Sequence, residues 1–219
     1  MPFEAYVCVF AKPPQPGQVK TRLAQTVGSA IAAQLAQAFL EDTWALVREL
    51  SWAHAVAALA DGPMPIALEG GEVWSQGEGD LGARIERVLR RALGAAPQAI
   101  AIGADTPGLP RTLLEQAHAA LRSHDAVLGP AEDGGFYLLG LRSFPEGMLS
   151  GVPWSSAQTC ERTLERLRAH GLSVARLPTW FDVDAHDDLV RLQGMLHAGE
   201  LNAPRTYAAL LARQERGAS

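Results

Sequence analysis

Lysine is nearly missing from this chain. Of the 19 lysine and arginine residues only two are lysines, Lys12 and Lys20. They share one short segment with Arg22, and no acidic residue occurs between Ala11 and Leu40. Cysteine is equally scarce. Cys8 and Cys160 are too few for a disulfide framework and lack metal-ligand spacing, and Cys8, inside an apolar run, reads as a buried free thiol. No stretch approaches the roughly 20 apolar residues that cross a bilayer. The start of the sequence lacks a basic region ahead of an apolar one, so no signal peptide is expected and the expected location is the cytoplasm. Nor is there an excess of positive charge: the formal net charge is −5, which argues against a nucleic-acid binder with a broad basic face.

What is present fits a folded globular protein of 219 residues, 47% hydrophobic and 20% charged, long enough to bury a full core. Short β-rich apolar runs alternate with helical periodicities. Ala5 to Ala11, Ala53 to Ala60, Ala99 to Gly103, Ala126 to Gly129, Phe136 to Leu141 and Val174 to Leu177 read as strands, with a short one possible at Val73-Trp74. Helices are expected from Leu23 onward with a break at Gly28, and over Leu81 to Leu93, Pro110 to Leu121, Asp187 to Leu196 and Pro204 to Arg213. Another opens at Ser155-Ser156-Ala157-Gln158, which resembles a capping box. Alternating strands and helices predict an α/β fold, a mostly parallel sheet that binds ligands at the carboxyl ends of its strands.

Four constellations fall at those ends. The first is Lys12-Pro-Pro-Gln-Pro-Gly-Gln-Val-Lys20-Thr-Arg22. It lacks the Walker spacing; it is a proline-stiffened loop that loses little entropy on binding and presents point charges suited to a pyrophosphate. The second is Asp105 in Gly103-Ala-Asp-Thr-Pro107: a divalent-ion ligand or a turn former. In the third, Asp182-Val-Asp184, the two carboxylates lie two residues apart and share one side of an extended segment; Asp187 and Asp188 behind them suit a helix start. The fourth is Glu132-Asp133-Gly134-Gly135, where glycines permit either a hairpin turn or close approach of backbone to ligand.

Taken in order, FAKPPQPGQVKTRL, GDLGAR, IGADTPGLP, GPAEDGGFYLLGLR, GVPWSS and DVDAHDDL resemble the bacterial selenodomain-associated transferase family, a glycosyltransferase-like branch (DUF2064) of the nucleotide-diphosphosugar transferases. The resemblance implies one GT-A-like domain over residues 1–219, a three-layer sandwich with a mostly parallel mixed sheet flanked by helices. It implies a metal-dependent transferase with a nucleotide or nucleotide-sugar donor and a small-molecule acceptor. Lys12, Lys20 and Arg22 would hold the phosphates. Asp105 and Asp184, or Asp182 in its place, would hold Mg²⁺ or Mn²⁺. Asp133, Gly134, Gly135 and Trp154 would line the acceptor side, and Asp80 and Arg84 would reach the nucleotide. Glycosyl transfer is the expected reaction. Nucleotidyl transfer with release of pyrophosphate is the alternative, since the Lys/Arg loop is similar to that of the phospholactate guanylyltransferases. A non-catalytic nucleotide- or sugar-phosphate-binding module is a further one. Where the family has Thr-Pro-Glu after the late Asp-x-Asp, this chain has Ala185-His186-Asp187, which predicts a weaker helix cap.

Overall fold

The computed structural model describes residues 3–63 and 68–217, with side chains to 214. Its centre is a seven-stranded sheet. The strands are β1 (Ala5–Ala11), β2 (Ala53–Leu59), β3 (Glu72–Ser75), β4 (Gln98–Gly103), β5 (Ala126–Pro130), β6 (Phe136–Leu141) and β7 (Val174–Arg176), in the order β3-β2-β1-β4-β6-β5-β7. β6 is the antiparallel member, running against both β4 and β5; the other pairings are parallel.

The helices are α1 (Thr21–Val27), α2 (Ser29–Arg48), α3 (Leu81–Leu93), α4 (Arg111–Ala120), α5 (Thr159–Ala169), α6 (His186–His197) and α7 (Pro204–Gly217). They cover both faces of the sheet, and strand alternation decides which residue goes where. Val7, Val9, Ile100 and Ile102 point to one side, into a core with Leu40, Trp44 and Val47 of α2 and Leu113, Leu114 and Ala117 of α4. Cys8, Ala99 and Ala101 point to the other, onto Ile85, Val88 and Leu89 of α3 and Leu164 and Leu167 of α5. Both faces of β1 and β4 are covered, so they read as unbroken apolar runs. A third cluster joins Leu23 of α1, Leu35 and Phe39 of α2, Phe181 and Val183, Leu189 and Leu192 of α6, and Leu210 of α7.

The helix expected after Leu23 is two helices, broken where expected: Gly28 takes φ 84, a conformation that costs a side chain energy. The expected capping box at Ser155 does not form. Ser155 sits at φ 56, the Ser156 hydroxyl accepts from the Gln158 N–H, and α5 begins only at Thr159, whose hydroxyl donates to the Pro153 and Ser156 carbonyls. A local turn has taken the serines that would have opened the helix. Cys8 is buried and free, and burial pushes its thiol well above the ordinary range. Among the described residues no helix is long and apolar enough to cross a membrane.

Candidate functional site

β1 has β2 on one side and β4 on the other, so chain order reverses between β1 and β4. In an open α/β sheet that switch point, at the strands' carboxyl ends, is where a crevice forms. The loop leaving β1 carries Lys12 to Lys20, and the loop leaving β4 carries Asp105. The Ala104 N–H donates to the Phe10 carbonyl, which holds the two exits together.

Lys20 opens α1 in the left-handed conformation, φ 47 and ψ 46. A non-glycine residue reaches that conformation only at a cost. Here it turns the lysine side chain inward. Its side chain is 4% exposed, and its Nζ lies 2.6 Å from Asp105 Oδ1 and 2.8 Å from Asp184 Oδ1. The ring of Phe39 lies below, 5.9 Å from Nζ to its centroid. Burial alone would lower the Lys20 pKa; the Asp105 and Asp184 carboxylates outweigh it and hold the ammonium above its usual range. Lys20 is thus a buried ion-pair partner in the fold, not an exposed loop charge. Lys12 and Arg22 do stay exposed, and neither has an ion-pair partner among the described residues.

The late acidic segment reaches this point by backbone pairing. Past β7, Leu177 donates to Leu128, Trp180 bridges Ala131, and the Val183 N–H donates to the Asp105 carbonyl at 3.0 Å. Arg191 of α6 forks onto Glu132 at 2.7 and 3.1 Å and lies over the Phe181 ring. The Asp188 carboxylate accepts from the N–H groups of Asp184 and Ala185, so α6 is capped despite Ala185-His186-Asp187. Asp184 thus meets Asp105 across Lys20, whereas Asp182 does not touch it. Burial pushes the Asp182 carboxyl up to about 7, and the negative charges of Asp133, Asp105 and Asp184 add to the effect. Asp133 is therefore part of the same acidic surround.

The other expected site residues have structural partners. Asp133 Oδ1 accepts from the Gly135 N–H in a tight turn. Gly134, at φ 88, meets the 157–160 segment: a Cβ there would lie 2.2 Å from the Ala157 carbonyl oxygen, and its carbonyl accepts from the Cys160 N–H. Asp80 caps α3 by accepting from the Ala83 N–H, and Arg84 donates to the Gly79 carbonyl. Trp154 packs where a Cβ on Gly82 would be 2.8 Å away, edge-on to Phe136.

Sequence reasoning missed Gln76. This buried side chain donates to the carbonyls of Ala11 and Ala58, tying the ends of β1 and β2 together, and Arg87 clasps the Gln76 and Glu78 carbonyls. An isolated glutamine after a short edge strand carries no signal of this. Thr106, beside Asp105, is also buried, and its hydroxyl has no partner among the described residues.

Among the described residues no group of three or more His, Cys, Asp or Glu side chains converges as a metal cluster. Two carboxylates do converge, on one positive centre, and the Lys20 ammonium stands where a cation would. That donor set fits Mg²⁺, which is commonly held by one or two carboxylates with water and substrate phosphates; Mn²⁺ accepts the same oxygens.

The fold is that of a nucleotide-diphospho-sugar-transferase-like α/β protein. Residues 40–156 match the family described as "Uncharacterized protein conserved in bacteria (DUF2064)", and the chain belongs to that family. A crystal structure of a "putative nucleotide-diphospho-sugar transferase" from Desulfovibrio desulfuricans G20 is 31% identical, covers 97% of this chain and 96% of its own, and superposes with a TM-score of 0.88. More distant likenesses show the fold alone. CMP:2-keto-3-deoxy-manno-octonic acid synthetase complexed with CTP is 13% identical over 90% of this chain and 100% of its own, at a TM-score of 0.57. Rv0371c of Mycobacterium tuberculosis H37Rv in complex with manganese is 16% identical over 86% of this chain and 97% of its own, at 0.52. No curated protein matches the chain.

Proposed function

We propose that this protein is a metal-dependent transferase that takes its group from a nucleotide-activated donor, and that the group is a sugar. The observation that carries the reading is the convergence of Asp105 and Asp184 on one cation, the Lys20 ammonium, at the sheet's switch point and on the segment that also carries Lys12 and Arg22. Carboxylates at a phosphate site repel the ligand unless a cation lies between them. Asp105 and Asp184 would hold that ion, which when bound neutralises charge developing on the leaving phosphate. Lys12 and Arg22 are exposed and have no ion-pair partner among the described residues, so they can pair with phosphate oxygens without giving up such a contact. The Asp133 turn, whose charge acts on Asp182, and the segment carrying Trp154 are assigned to the acceptor side. No side chain here need act as a covalent nucleophile; orientation and fixed charge suffice. In sugar transfer the acceptor oxygen bonds to the anomeric carbon as the bond to the nucleoside diphosphate breaks. The D. desulfuricans relative's description supports this reading.

The cation-rich 12–22 loop favours a second reading. Three positive groups suit a nucleoside triphosphate, and attack at its α-phosphate would release pyrophosphate. One experiment separates the two. The protein is incubated with Mg²⁺, a panel of nucleoside triphosphates and nucleotide sugars, and candidate acceptors. Nucleoside diphosphate as product supports sugar transfer and pyrophosphate supports nucleotidyl transfer. If no nucleotide raises the melting temperature with Mg²⁺ present, both readings fail, because a ligand of the folded state must stabilise it.

A further inference from the structure

Lys20 holds the oxygens that a divalent ion would need. Its Nζ contacts Oδ1 of Asp105 and Oδ1 of Asp184 at once, so a divalent ion held by these two carboxylates would compete with the ammonium for them. The ammonium comes from the protein side, 4% exposed, while the Asp105 and Asp184 side chains are 61% and 40% exposed. It rests over the buried Phe39 ring and is driven inward by a left-handed backbone at Lys20. Two cations cannot share these oxygens without lying in contact and repelling each other.

We propose that Lys20 is a built-in occupant of the cation site, which keeps a divalent ion out of the Asp105–Asp184 pair until phosphate draws the ammonium away. The inference rests on the site assignment above and concerns binding, not turnover. Lysine suits the part: its charge is a point on a flexible four-carbon stem and can exchange one anionic partner for another. In the ligand-free protein its single charge bridges two carboxylates that would otherwise repel. When a donor's phosphates arrive beside Lys12 and Arg22, Lys20 gains a further anionic partner and releases the carboxylates. Metal and donor then enter together, and the site does not load with metal alone. A lysine that merely oriented the carboxylates would have the opposite effect, and its loss would weaken metal binding.

The test uses Mn²⁺ alone, with nucleotide left out, so its result is independent of whether the protein transfers a sugar or a nucleotide. Free Mn²⁺ is followed by electron paramagnetic resonance for wild type and Lys20→Met. Lys20→Met is expected to bind one Mn²⁺ roughly 5- to 150-fold more tightly, the range of ordinary site coupling, and Asp105→Asn in that background is expected to lose the gain. Equal or weaker binding by Lys20→Met, or no Mn²⁺ site in either protein, overturns the proposal. Should Lys20→Met not fold, the wild type decides. The chain has only two lysines, so ¹⁵N-lysine labelling yields an ammonium spectrum with one buried and one exposed side chain. The buried signal is expected to stay in place as Mg²⁺ alone is raised and to move when Mg²⁺ and pyrophosphate are added together. A buried signal that moves with Mg²⁺ alone, or that stays in place with both, overturns the proposal. Success here with no nucleotide binding in the thermal-shift experiment would leave the cation exchange standing and remove the transferase reading.

Discussion

The Val183 N–H donates to the Asp105 carbonyl at 3.0 Å, a backbone bond that ties the segment bearing Asp182 and Asp184 to the turn after β4. The spacing of the two acidic segments is therefore independent of their side-chain charge. Asp105→Asn keeps that bond and the side chain's shape while removing its charge. The fold is expected to persist, and the Mg²⁺-dependent part of nucleotide affinity, about 5- to 150-fold for coupled sites, is expected to vanish. Titrations in Mg²⁺ and in chelator, for both proteins, check this. A variant that keeps the full Mg²⁺ response would reduce Asp105 to a turn residue.

The two glycines after Asp133 are expected to differ. Gly134→Ala places a Cβ 2.2 Å from the Ala157 carbonyl oxygen at φ 88. Overpacking of about 1–3 kcal/mol adds to about 1–2 kcal/mol for a left-handed non-glycine residue. Gly135→Ala meets only the Asp133 carboxylate tip at 3.0 Å, which a small rotation relieves, and it lacks the positive φ. Urea denaturation is expected to show a loss of several kcal/mol for the first and under about 1 kcal/mol for the second. Equal losses would mean that the Gly134 contact with the 157–160 segment is not a tight one.

Much of the scaffold was legible because its signals are local. The period of Leu81, Ile85, Val88 and Leu89 marks α3 over Leu81–Leu93, and the apolar run marks β6 over Phe136–Leu141; both elements have those bounds. The site residues were legible as types: acidic groups after strands, cations in one loop. Their partners were not. Whether Lys20 points outward to phosphate or inward to Asp105 depends on one left-handed backbone angle and on a contact 164 residues away in sequence. The Ser155 capping box failed for a related reason, since Thr159 found the Pro153 carbonyl, a partner that spacing alone does not reveal.

At the opposite end of the sheet, His118 of α4 is buried against Trp52, with ring centroids 4.2 Å apart and planes within 5°. Its Nδ1 is 2.7 Å from Gln98 Oε1, and Glu4 and Arg122 lie at Nε2. Burial lowers the imidazole pKa from its ordinary 6.5; Glu4 opposes this and Arg122 reinforces it. The unfolded chain therefore takes up a proton that the folded chain refuses. The contribution is fully present above about pH 6.5 and is lost as pH falls from there toward the lower folded value. Stability measured by urea between pH 7.5 and 5.5 is expected to fall, and to fall less in His118→Gln. An equal fall in both proteins would assign the acid sensitivity to other groups.

Arg22 and Lys12 offer the cleanest separation of binding from folding. Both are exposed and neither has an ion-pair partner among the described residues, so replacing either with alanine is expected to change stability by no more than about 0.5 kcal/mol. A charge-assisted bond to phosphate contributes about 1.5–3 kcal/mol, so each replacement is expected to weaken nucleotide binding roughly 10- to 150-fold. The loss should shrink as salt is raised, because exposed charges are screened over a Debye length of about 8 Å at 0.15 M. Lys20→Ala differs: it breaks a buried contact with two carboxylates, so it should alter both melting temperature and metal binding. Calorimetric titration and thermal melts on the three single variants give the comparison. If Arg22→Ala and Lys12→Ala bind nucleotide as tightly as wild type, the exposed cations of this loop lie outside the donor site. Only the buried lysine would then connect the loop to the chemistry at Asp105.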